Sequence, residues 1–432
     1  MVTTTSLPDA VARMRPRDTL GIPLGPGQPA AFLHALDARD DWEHLEIFGA
    51  LLVDLYGVFL KPGVRHLSGF FGPAERVLRD SGARIEFIPS DFRRFGPIAE
   101  RLAPRVCATV ATPPDRDGFL SLSVHAGATV AEMHRCGSDP ERLLVVEMNE
   151  KFPFTFGLPE PGLEHRVHVD EIDILVESDR DPFMLADPEP TEVEHAIAGN
   201  VRELIVDGAT LQTGIGGVPS LVAQLLAEGD GGDYGVHSEM FTTGLMRLHQ
   251  AGKITNRAKG VFGGYSVTTF AAGIPELYEW LDRNDKVRFL PVSIVNSPET
   301  IGRNHHMVTI NGALSIDLWG QVVADAIGGR QYSGIGGHED FVAVSGIELE
   351  DRSLLCLPST AVVEGVRLPR IVPQLPVGST VTTPRHQVDI VITEFGAAHL
   401  RGRTVRERAH ALDEIAHPEF RDALHEHATT LH

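Results

Sequence analysis

The chain has 432 residues, and its 43 glycines and 29 prolines exceed the roughly 12% that these two residues contribute to an average protein. Because 42% of the residues are hydrophobic, this surplus of turn-forming residues does not indicate disorder. The net charge of −21 argues against binding to nucleic acids and to anionic membranes, since both require clustered Lys and Arg.

Apolar runs alternate with helical patterns along the chain, and this alternation predicts α/β layers with largely parallel sheets. None of these runs approaches the roughly 18 apolar residues that a membrane span needs. The runs are LEIFGALLV (45–53), ARIEFIP (83–89), LLVVEMN (143–149), IDILVES (172–178), VRFLPVSIV (287–295) and VDIVITEFG (388–396).

The clearest predicted helix covers residues 191–206, where Thr191 and Glu194 form a capping box. The acidic, proline-rich stretch ADPEPTE precedes this helix and marks the best candidate for a domain boundary, which we place near residue 188. The sequence therefore predicts an N-terminal α/β domain over 1–188 and a C-terminal α/β domain over 189–432.

A further helical region is predicted near the C-terminus. It starts at Thr404 and is interrupted at His417-Pro418, because proline cannot continue a helix.

Two nearly identical glycine loops follow in the second half of the chain. The first, ATLQTGIGGVPS (209–220), has the pattern strand, glycine turn, helix, and an ordinary strand-to-helix turn accounts for it when it is taken alone. It lacks the third glycine of the dinucleotide fingerprint and the lysine of a Walker loop. The second loop, SGIGGHEDF (333–341), favours a different interpretation, in which two backbone surfaces meet around one ligand.

A carboxylate lies in the segment YGVHSEMFTTG (234–244), which reads as a short strand that runs into a polar turn. A single Glu in a turn is commonly a solvated surface group. Glu239, however, has aliphatic and aromatic neighbours in the sequence and no Lys or Arg within several positions. A poorly solvated carboxylate of this kind can act as a nucleophile or as a base, so both the surface role and the catalytic role remain open.

Taken together, these segments closely resemble the acetyl-CoA hydrolase/CoA-transferase family, which contains class I enzymes of the 4-hydroxybutyrate/acetate CoA-transferase type. The likeness continues through NHHMVTINGALSIDLWGQVVAD (304–325), the long stretch 369–409 and IAHPEFR (415–421). It is patchier in the first half, where VATPPDRDGFLSLSV (110–124) and VHVDEIDILVE (167–177) match. The resemblance implies two open α/β domains.

The resemblance also implies a chemistry. In the family, the Glu of the turn is the nucleophile, and this role falls on Glu239. Its carboxylate attacks the acyl-CoA thioester, so an acyl-glutamyl anhydride and then a glutamyl-CoA thioester form by ping-pong kinetics. Glycine-loop N–H groups stabilise the oxyanions. The residues that the resemblance assigns to CoA binding and the oxyanion are Gly214, Ile215, Gly216, Gly217, Val218, Ser333, Gly334, Gly336 and Gly337.

The sequence departs from the family pattern at two places. His338 follows the second loop where relatives often have Gln or Ser, and it is either a contact for the substrate carboxylate or a structural histidine. The segment STAVVEG (359–365) lacks a lysine that some relatives carry, which leaves open how the CoA phosphates are held. The arginines at positions 401, 403, 406 and 408 offer a basic cluster for this purpose, or simply a solvated helix start.

The remaining expectations concern partners and setting. We expect no metal, because His305-His306 has the spacing of metal ligands only superficially, and no cofactor beyond coenzyme A as cosubstrate. Asp317 and Asp325 are interpreted as scaffold groups. The three separated cysteines favour a reducing, cytoplasmic location, and the N-terminus lacks the pattern of a signal peptide. The expected partners are acyl-CoA and small carboxylates, without nucleic acid or membrane, in a homo-oligomer.

Three functions compete at this point. The first is an acyl-CoA:carboxylate CoA-transferase, and the second is an acyl-CoA hydrolase that uses the same Glu239. The third is a ligand-binding or regulatory protein, which the retention of Glu239 between two glycine loops disfavours. The first two differ in whether the site excludes water and holds a second carboxylate.

Overall fold

A computed structural model of the chain describes residues 4–186, 189–344 and 349–431. The predicted domain boundary near residue 188 lies outside the described residues. The chain forms two compact units, each assembled from separate segments. Unit 1 comprises the residues up to Leu185 together with Val267–Val295 and Tyr332–Gly336, and unit 2 comprises the remaining segments.

The helices of the described residues are short, and they alternate with strands along the chain. In chain order they are α1 (Leu7–Ala12), α2 (Ala30–Ala35), α3 (Pro73–Asp80), α4 (Phe95–Leu102), α5 (Val130–Gly137), α6 (Glu192–Arg202), α7 (Gly217–Glu228), α8 (Thr243–Gln250), α9 (Pro275–Leu281), α10 (Val292–Val295), α11 (Pro298–Ile301), α12 (His338–Val342), α13 (Val405–Glu414) and α14 (Pro418–Thr430).

The strands of the described residues are also short. In chain order they are β1 (Arg17–Leu24), β2 (His44–Ala50), β3 (Val64–Ser68), β4 (Ile85–Phe87), β5 (Val106–Ala111), β6 (Phe119–Ser121), β7 (Leu143–Met148), β8 (Arg166–His168), β9 (Ile174–Glu177), β10 (Thr210–Thr213), β11 (Gly235–Val236), β12 (Met240–Phe241), β13 (Ser266–Thr268), β14 (Phe270–Ala271), β15 (Val287–Phe289), β16 (Met307–Gly312), β17 (Ser315–Asp317), β18 (Val322–Val323), β19 (Ala326–Ile327), β20 (Arg330–Gln331), β21 (Arg352–Cys356), β22 (Thr360–Val363), β23 (Val366–Pro369), β24 (Ile371–Val372), β25 (Ile390–Thr393) and β26 (Gly396–His399).

Unit 1 contains a seven-stranded parallel sheet in the order β4-β3-β2-β1-β5-β7-β9. The inner strand β5, which lies between β1 and β7, has the sequence VCATVA and is buried along its whole length. Such a continuous apolar run is expected where helices cover both faces of a parallel sheet, and it explains why this strand shows no alternation of polar and apolar residues. The core of the unit includes Leu20, Ile47, Val106 and Val145, which come from four neighbouring strands.

Unit 2 contains a six-stranded sheet in the order β11-β10-β16-β21-β25-β26. Its strands are parallel except for the last pair, β25 and β26, which is antiparallel. The helix α6 packs against β25, and the C-terminal helices α13 and α14 pack against each other. Parallel strands end at the same edge of a sheet, so the loops that leave β10 and β11 begin from neighbouring positions.

The predicted fold class, two open α/β domains with largely parallel sheets, is confirmed by the two sheets. Thr191 and Glu194 form the predicted capping box of α6. The C-terminal helical region is interrupted as predicted, since α13 ends at Glu414 and α14 begins at Pro418.

Two predicted elements differ from those observed. The helix predicted over 191–206 ends at Arg202, because the chain tightens into i→i+3 turns in which the Ile205 N–H donates to the Arg202 carbonyl oxygen. The apolar run 287–295 is a strand only over β15, and Pro291 separates it from α10. Proline has no N–H to donate to a strand ladder but is well tolerated at the start of a helix. The second half of the run therefore forms a helix instead of continuing the strand.

The three cysteines, Cys107, Cys136 and Cys356, are buried free thiols, and the structure forms no disulfide among them. Every helix within the described ranges is too short or too polar to cross a bilayer.

Candidate active site

The Glu239 turn connects β11 to β12 and is fastened to the end of β10. The Ser238 hydroxyl donates to the Thr213 carbonyl oxygen at 3.1 Å and accepts from the Thr213 N–H at 3.3 Å. One residue earlier, the backbone N–H of His237 donates to the Leu211 carbonyl oxygen at 3.1 Å. The first glycine loop leaves β10 directly after Thr213, so the turn and that loop start from a common anchor.

A buried lysine supports the strand that leads into this turn. The Lys259 Nζ donates to the carbonyl oxygens of Val236 and Tyr265, each at 2.8 Å. Burial lowers the pKa of Lys259 to about 7, because an ammonium group loses its hydration there. The Val236 N–H is also held, since it donates to the Asn256 Oδ1 at 2.9 Å. The backbone before the turn is therefore fixed by side chains on both sides.

The Glu239 carboxylate is held by the amide of Asn296. The Asn296 Nδ2 donates to the Glu239 Oε2 at 2.6 Å and to the Asp340 Oδ2 at 2.9 Å. Asn296 and Asp340 are fully buried, whereas Glu239 keeps some exposure. One amide group thus links two carboxyl groups and orients the partly exposed one.

The surroundings of Glu239 favour its protonated form. Burial raises the pKa of Glu239 to about 8, the hydrogen bond from Asn296 opposes this rise, and the nearby Asp340 carboxyl adds to it. A carboxylate that loses hydration in this way is more basic and more nucleophilic than one in water. The arrangement can therefore supply a reactive carboxylate.

Gly337 of the second glycine loop lies directly against this carboxylate. A Cβ at this position would collide with the Glu239 Oε2 and would lie 2.5 Å from the Asn296 Nδ2. Its φ of −87° is accessible to any residue, so the need for glycine here is one of space. Close backbone approach brings the start of α12 to Glu239.

The first glycine loop is more open. Cβ atoms built at Gly214 and Gly216 would meet nothing within 4 Å, and Ile215 between them is 56% exposed. Gly216 adopts a φ of +120°, which side-chain-bearing residues rarely reach. Gly217, at the start of α7, packs against the Glu194 carboxylate. Val218 follows it within α7 and is partly exposed.

The residues before Gly337 in the second loop are fixed within unit 1. A Cβ at Gly334 would collide with Phe70, and the Gly336 carbonyl oxygen accepts from the Phe92 N–H at 2.9 Å. Ser333 is partly exposed next to this anchored segment. Unit 1 ends at Gly336, and Gly337 belongs to unit 2.

The ring of His338 is engaged with the scaffold. Its Nε2 lies 2.9 Å from the Thr383 Oγ1, and Thr383 in turn donates to the Glu339 carboxylate. Burial lowers the pKa of His338 to about 4, so the ring is neutral at pH 7. These contacts account for His338 as a structural residue, and its contact with substrate stays a prediction.

The arginine cluster, which the sequence offers either for the CoA phosphates or as a solvated helix start, makes contacts within the protein. The Arg401 guanidinium pairs with the Asp389 carboxylate at 2.7 Å, and Arg408 donates to the carbonyl oxygens of Arg385 and Leu400. These contacts tie the start of α13 to neighbouring backbone.

The aspartates predicted to be scaffold groups have such contacts. The Asp317 carboxylate accepts from the backbone N–H groups of Trp319 and Gln321, and that of Asp325 accepts from Thr382 and Gln331.

The structure thus brings together Glu239 and Gly337, which the sequence singled out, with Asn296 and Asp340, which it did not. Asn296 follows an apolar run, and its neighbours in the sequence do not indicate a functional role. Its place directly after a buried segment is the one sequence feature that could have marked it as a candidate. Asp340 lies inside the segment HEDF (338–341), where the sequence pattern indicates only a carboxylate at the start of a helix. The role of Lys259 as a support for the strand before the turn is likewise apparent only from its burial in the structure.

The fold and the site define an α/β protein with a hydrogen-bonded, poorly solvated carboxylate beside a glycine loop. The family model for the acetyl-CoA hydrolase/transferase C-terminal domain matches residues 273–428. The 4-hydroxybutyrate coenzyme A transferase of Clostridium kluyveri is 36% identical over 405 residues, which cover 92% of this chain and 90% of that protein. The chain belongs to the acetyl-CoA hydrolase/transferase family.

Further relatives agree with this assignment. The succinyl-CoA:cyclohexane-1-carboxylate CoA transferase of Geobacter metallireducens is 34% identical over 427 residues, covering 97% of this chain and 93% of that protein. Among solved structures, RipA from Yersinia pestis is 29% identical with a TM-score of 0.88. The 4-hydroxybutyrate CoA-transferase from Porphyromonas gingivalis is 29% identical with a TM-score of 0.79. Both comparisons cover 99% of this chain and 97% of the other.

Proposed function

We propose that this enzyme is an acyl-CoA:carboxylate CoA-transferase in which Glu239 is the nucleophile. The observation that carries the proposal is the Glu239 carboxylate, which is oriented by Asn296 at 2.6 Å and packed against Gly337. The relatives support the reaction class, because several are named for CoA transfer between carboxylic acids, including 4-hydroxybutyrate, butyrate and acetate.

The reaction begins when the Glu239 carboxylate attacks the thioester carbonyl of an acyl-CoA. The C–S bond breaks, CoA leaves as a thiolate, and an acyl-glutamyl anhydride remains. The thiolate then attacks the glutamyl carbonyl, which gives a glutamyl-CoA thioester and releases the first carboxylate. An incoming carboxylate reverses these steps and leaves as the new acyl-CoA. The thioester energy is kept in a covalent bond throughout.

Asn296 and Asp340 position the nucleophile in this scheme. The Asn296 amide donates one hydrogen to each carboxyl group, so rotation of the Glu239 carboxylate breaks a short hydrogen bond. The anchoring of Asn296 by buried Asp340 keeps the amide in place as substrates enter. This is preorganisation, because the orienting contact exists before the substrate binds.

In this scheme the glycine loops stabilise the negative charge that develops on the substrate. Each tetrahedral intermediate carries an oxyanion, and a preorganised N–H donor is worth roughly 3–4 kcal/mol to such a species. We assign one donor to the backbone near Ile215 and another to the backbone near Gly337, with CoA contacts along Gly214–Val218 and at Ser333, Gly334 and Gly336. Gly337 supports this assignment, since its backbone touches the nucleophile.

The chemistry requires no metal and no organic cofactor, with CoA acting as cosubstrate. We place the enzyme in the cytoplasm as a homo-oligomer, and the location is supported by three free, buried thiols of the kind that a reducing compartment maintains.

The alternative is hydrolysis of acyl-CoA by the same Glu239. An acetyl-CoA hydrolase of Candida albicans is 28% identical over 222 residues, which cover 50% of this chain. This likeness is weaker than the likeness to the transferases. If water attacked in place of the acceptor carboxylate, it would hydrolyse the acyl-glutamyl anhydride or the glutamyl-CoA thioester.

The deciding experiment incubates the enzyme with acetyl-CoA or succinyl-CoA, with and without a carboxylate acceptor. A transferase forms the new acyl-CoA only when the acceptor is present and releases little free CoA. Release of CoA at the same rate without acceptor would show hydrolysis instead.

The nucleophile is tested on the same preparations. Borohydride reduction of the acyl-CoA-treated enzyme should modify Glu239 and inactivate it, and Glu239→Gln should lower kcat/KM by at least about 10⁴-fold. Glu203→Gln changes an exposed glutamate after α6 and serves as the matched control. Full activity of Glu239→Gln would refute the mechanism.

A further inference from the structure

Two histidines and an aspartate converge at the contact of the last two helices. The His410 Nδ1 lies 3.2 Å from the Asp413 Oδ2, and the His425 Nδ1 lies 3.0 Å from the same oxygen. All three potential ligand atoms lie within 4.8 Å of one another. His410 and Asp413 are one turn apart on α13, and His425 comes from α14.

The two separations between histidine nitrogen and Asp413 oxygen match those of a metal coordination sphere. Zinc binds imidazole nitrogen and carboxylate oxygen at roughly 2.0–2.2 Å in a tetrahedral arrangement, which places neighbouring ligand atoms about 3.3 Å apart. The observed 3.0 and 3.2 Å differ from this value by only a few tenths of an ångström. The ligand atoms of the two histidines lie within 4.8 Å of each other, so rotation of the exposed His425 side chain is the adjustment that gathers the three atoms around one ion.

The electrostatics of the cluster also call for a cation. The Asp413 side chain is only 6% exposed and lies in the last turn of α13, where the partial negative charge of the helix dipole accumulates. The last turn of α13 contains no basic residue, and Asp413 is followed by Glu414. A divalent ion held by two imidazoles would neutralise both the buried carboxylate and the helix end.

The scaffold around the cluster is rigid. Leu412 on α13 and Leu424 on α14, which adjoin Asp413 and His425 in the sequence, are buried in one apolar core with Ala409 and Ala428. Ligands on packed helices hold their geometry better than ligands on loops. His425 itself is 63% exposed, which leaves an approach for the ion and a position for a bound water.

We propose that His410, Asp413 and His425 form a site for a divalent transition metal, with Zn²⁺ as the best fit. The Nδ1 atoms of the two histidines and the Asp413 carboxylate supply three ligands, and water supplies the fourth. Each ring carries its proton on Nε2 when Nδ1 ligates the ion. The site joins α14 to α13, is structural, and takes no part in the chemistry assigned to Glu239.

The test uses Co²⁺ as a spectroscopic probe and Zn²⁺ as its competitor on the full-length chain stripped with a chelator. We expect one Co²⁺ per chain with the visible absorption of a tetrahedral complex, displaced by Zn²⁺. His425→Gln changes an exposed residue and should weaken binding by at least about tenfold, given that loss of an outer-shell partner alone costs about 10–100-fold. His410→Gln should do the same.

The matched control is His427→Gln, two residues further along α14 and outside the cluster. Zn²⁺ should raise the Tm of the wild type and of this control but not that of His425→Gln, because only a folded-state site stabilises. Absence of the tetrahedral band in the wild type, or equal binding by wild type and His425→Gln, would overturn the proposal, the latter by showing scattered binding among the chain's 20 histidines.

Discussion

The two glycine loops share the letters Gly-Ile-Gly-Gly, and their glycines satisfy the same physical needs except at the first position. In the first loop, Gly214 and Gly216 face open space, and Gly216 is required for its φ of +120°. In the second loop, Gly336 likewise has a positive φ of +55°. The fourth glycine has no room for a Cβ in either loop, since Gly217 abuts Glu194 and Gly337 abuts Glu239, and the loops differ at the first glycine because Gly334 abuts Phe70. The repeated motif therefore reflects a shared conformation at its third glycine and shared close packing at its fourth, while the neighbours of the first glycine decide whether space requires it there.

Among variants that keep Glu239, the largest effect on activity should come from Gly337→Ala. The added methyl group would displace the Glu239 carboxylate or the Asn296 amide, and a misplacement of about 1 Å is enough to lower kcat by roughly 10²-fold. Steady-state kinetics measure the loss, and circular dichroism checks the fold. Activity within about twofold of wild type would mean that Gly337 does not control the nucleophile.

The next effect concerns the amide that links the two carboxyl groups. Asn296→Asp replaces a donor with an acceptor beside Glu239 and Asp340, so we expect kcat/KM to fall by roughly 10²-fold. Asn200→Asp is the control, because it breaks a comparable hydrogen bond to the Thr393 carbonyl oxygen without touching Glu239. Equal losses in the two variants would point to a general effect on stability.

The third prediction concerns pH and rests on the raised pKa of Glu239. Only the carboxylate attacks, so kcat/KM should rise about tenfold per pH unit below about 8 and level off above it. A bell with its acidic limb near the ordinary pKa of glutamate would contradict the hydrogen-bonded, poorly solvated site.

The raised pKa of Glu239 also affects the stability of the folded state, which decreases with pH over the range in which activity increases. The folded state favours protonated Glu239, so its stabilising contribution is full below the ordinary pKa of 4.5 and is lost as pH rises through about 8. Glu239→Gln removes this loss. Its Tm advantage over the wild type should therefore grow from pH 5 to pH 9, and a constant difference would argue against the shift.

The smallest effect should come from Gly214→Ala, which tests the open loop. No atom lies within 4 Å of the added methyl group, so Tm and kcat should stay near the wild-type values, with a free energy of unfolding changed by less than about 0.5 kcal/mol. If the loop holds CoA, the KM for acyl-CoA rises by about fivefold, equivalent to about 1 kcal/mol. An unchanged KM would remove Gly214 from the CoA site and sharpen the contrast with Gly337.

Much of the fold could be predicted from local patterns. The capping box at Thr191 and the break at Pro418 depend on neighbouring residues alone, and both are confirmed at the predicted residues. The end of α6 and the second half of the run 287–295 were less accessible, because a tightened turn and a single proline decide between continuation and termination there. Neither feature changes the apolar pattern on which the prediction rests.

The composition of the two units is another feature without a local signal. Val267–Val295 and Tyr332–Gly336 return to unit 1 after the chain has entered unit 2. The unit to which a segment belongs depends on the surfaces against which it packs. The amphipathic patterns of the two units are similar, so the sequence alone does not assign these segments. The predicted boundary near residue 188 stays a prediction.

By itself, the sequence determined the α/β class and the two glycine loops, because periodicity and backbone freedom are properties of neighbouring residues, and its resemblance to the family singled out Glu239. Only the tertiary structure decided that Asn296 links Glu239 to Asp340, that Lys259 supports the preceding strand, and that His425 meets Asp413. These partners are 57, 44, 23 and 12 positions apart. Contacts over such separations arise from packing of whole elements, which fixes both the pKa of a carboxylate and the spacing of ligands.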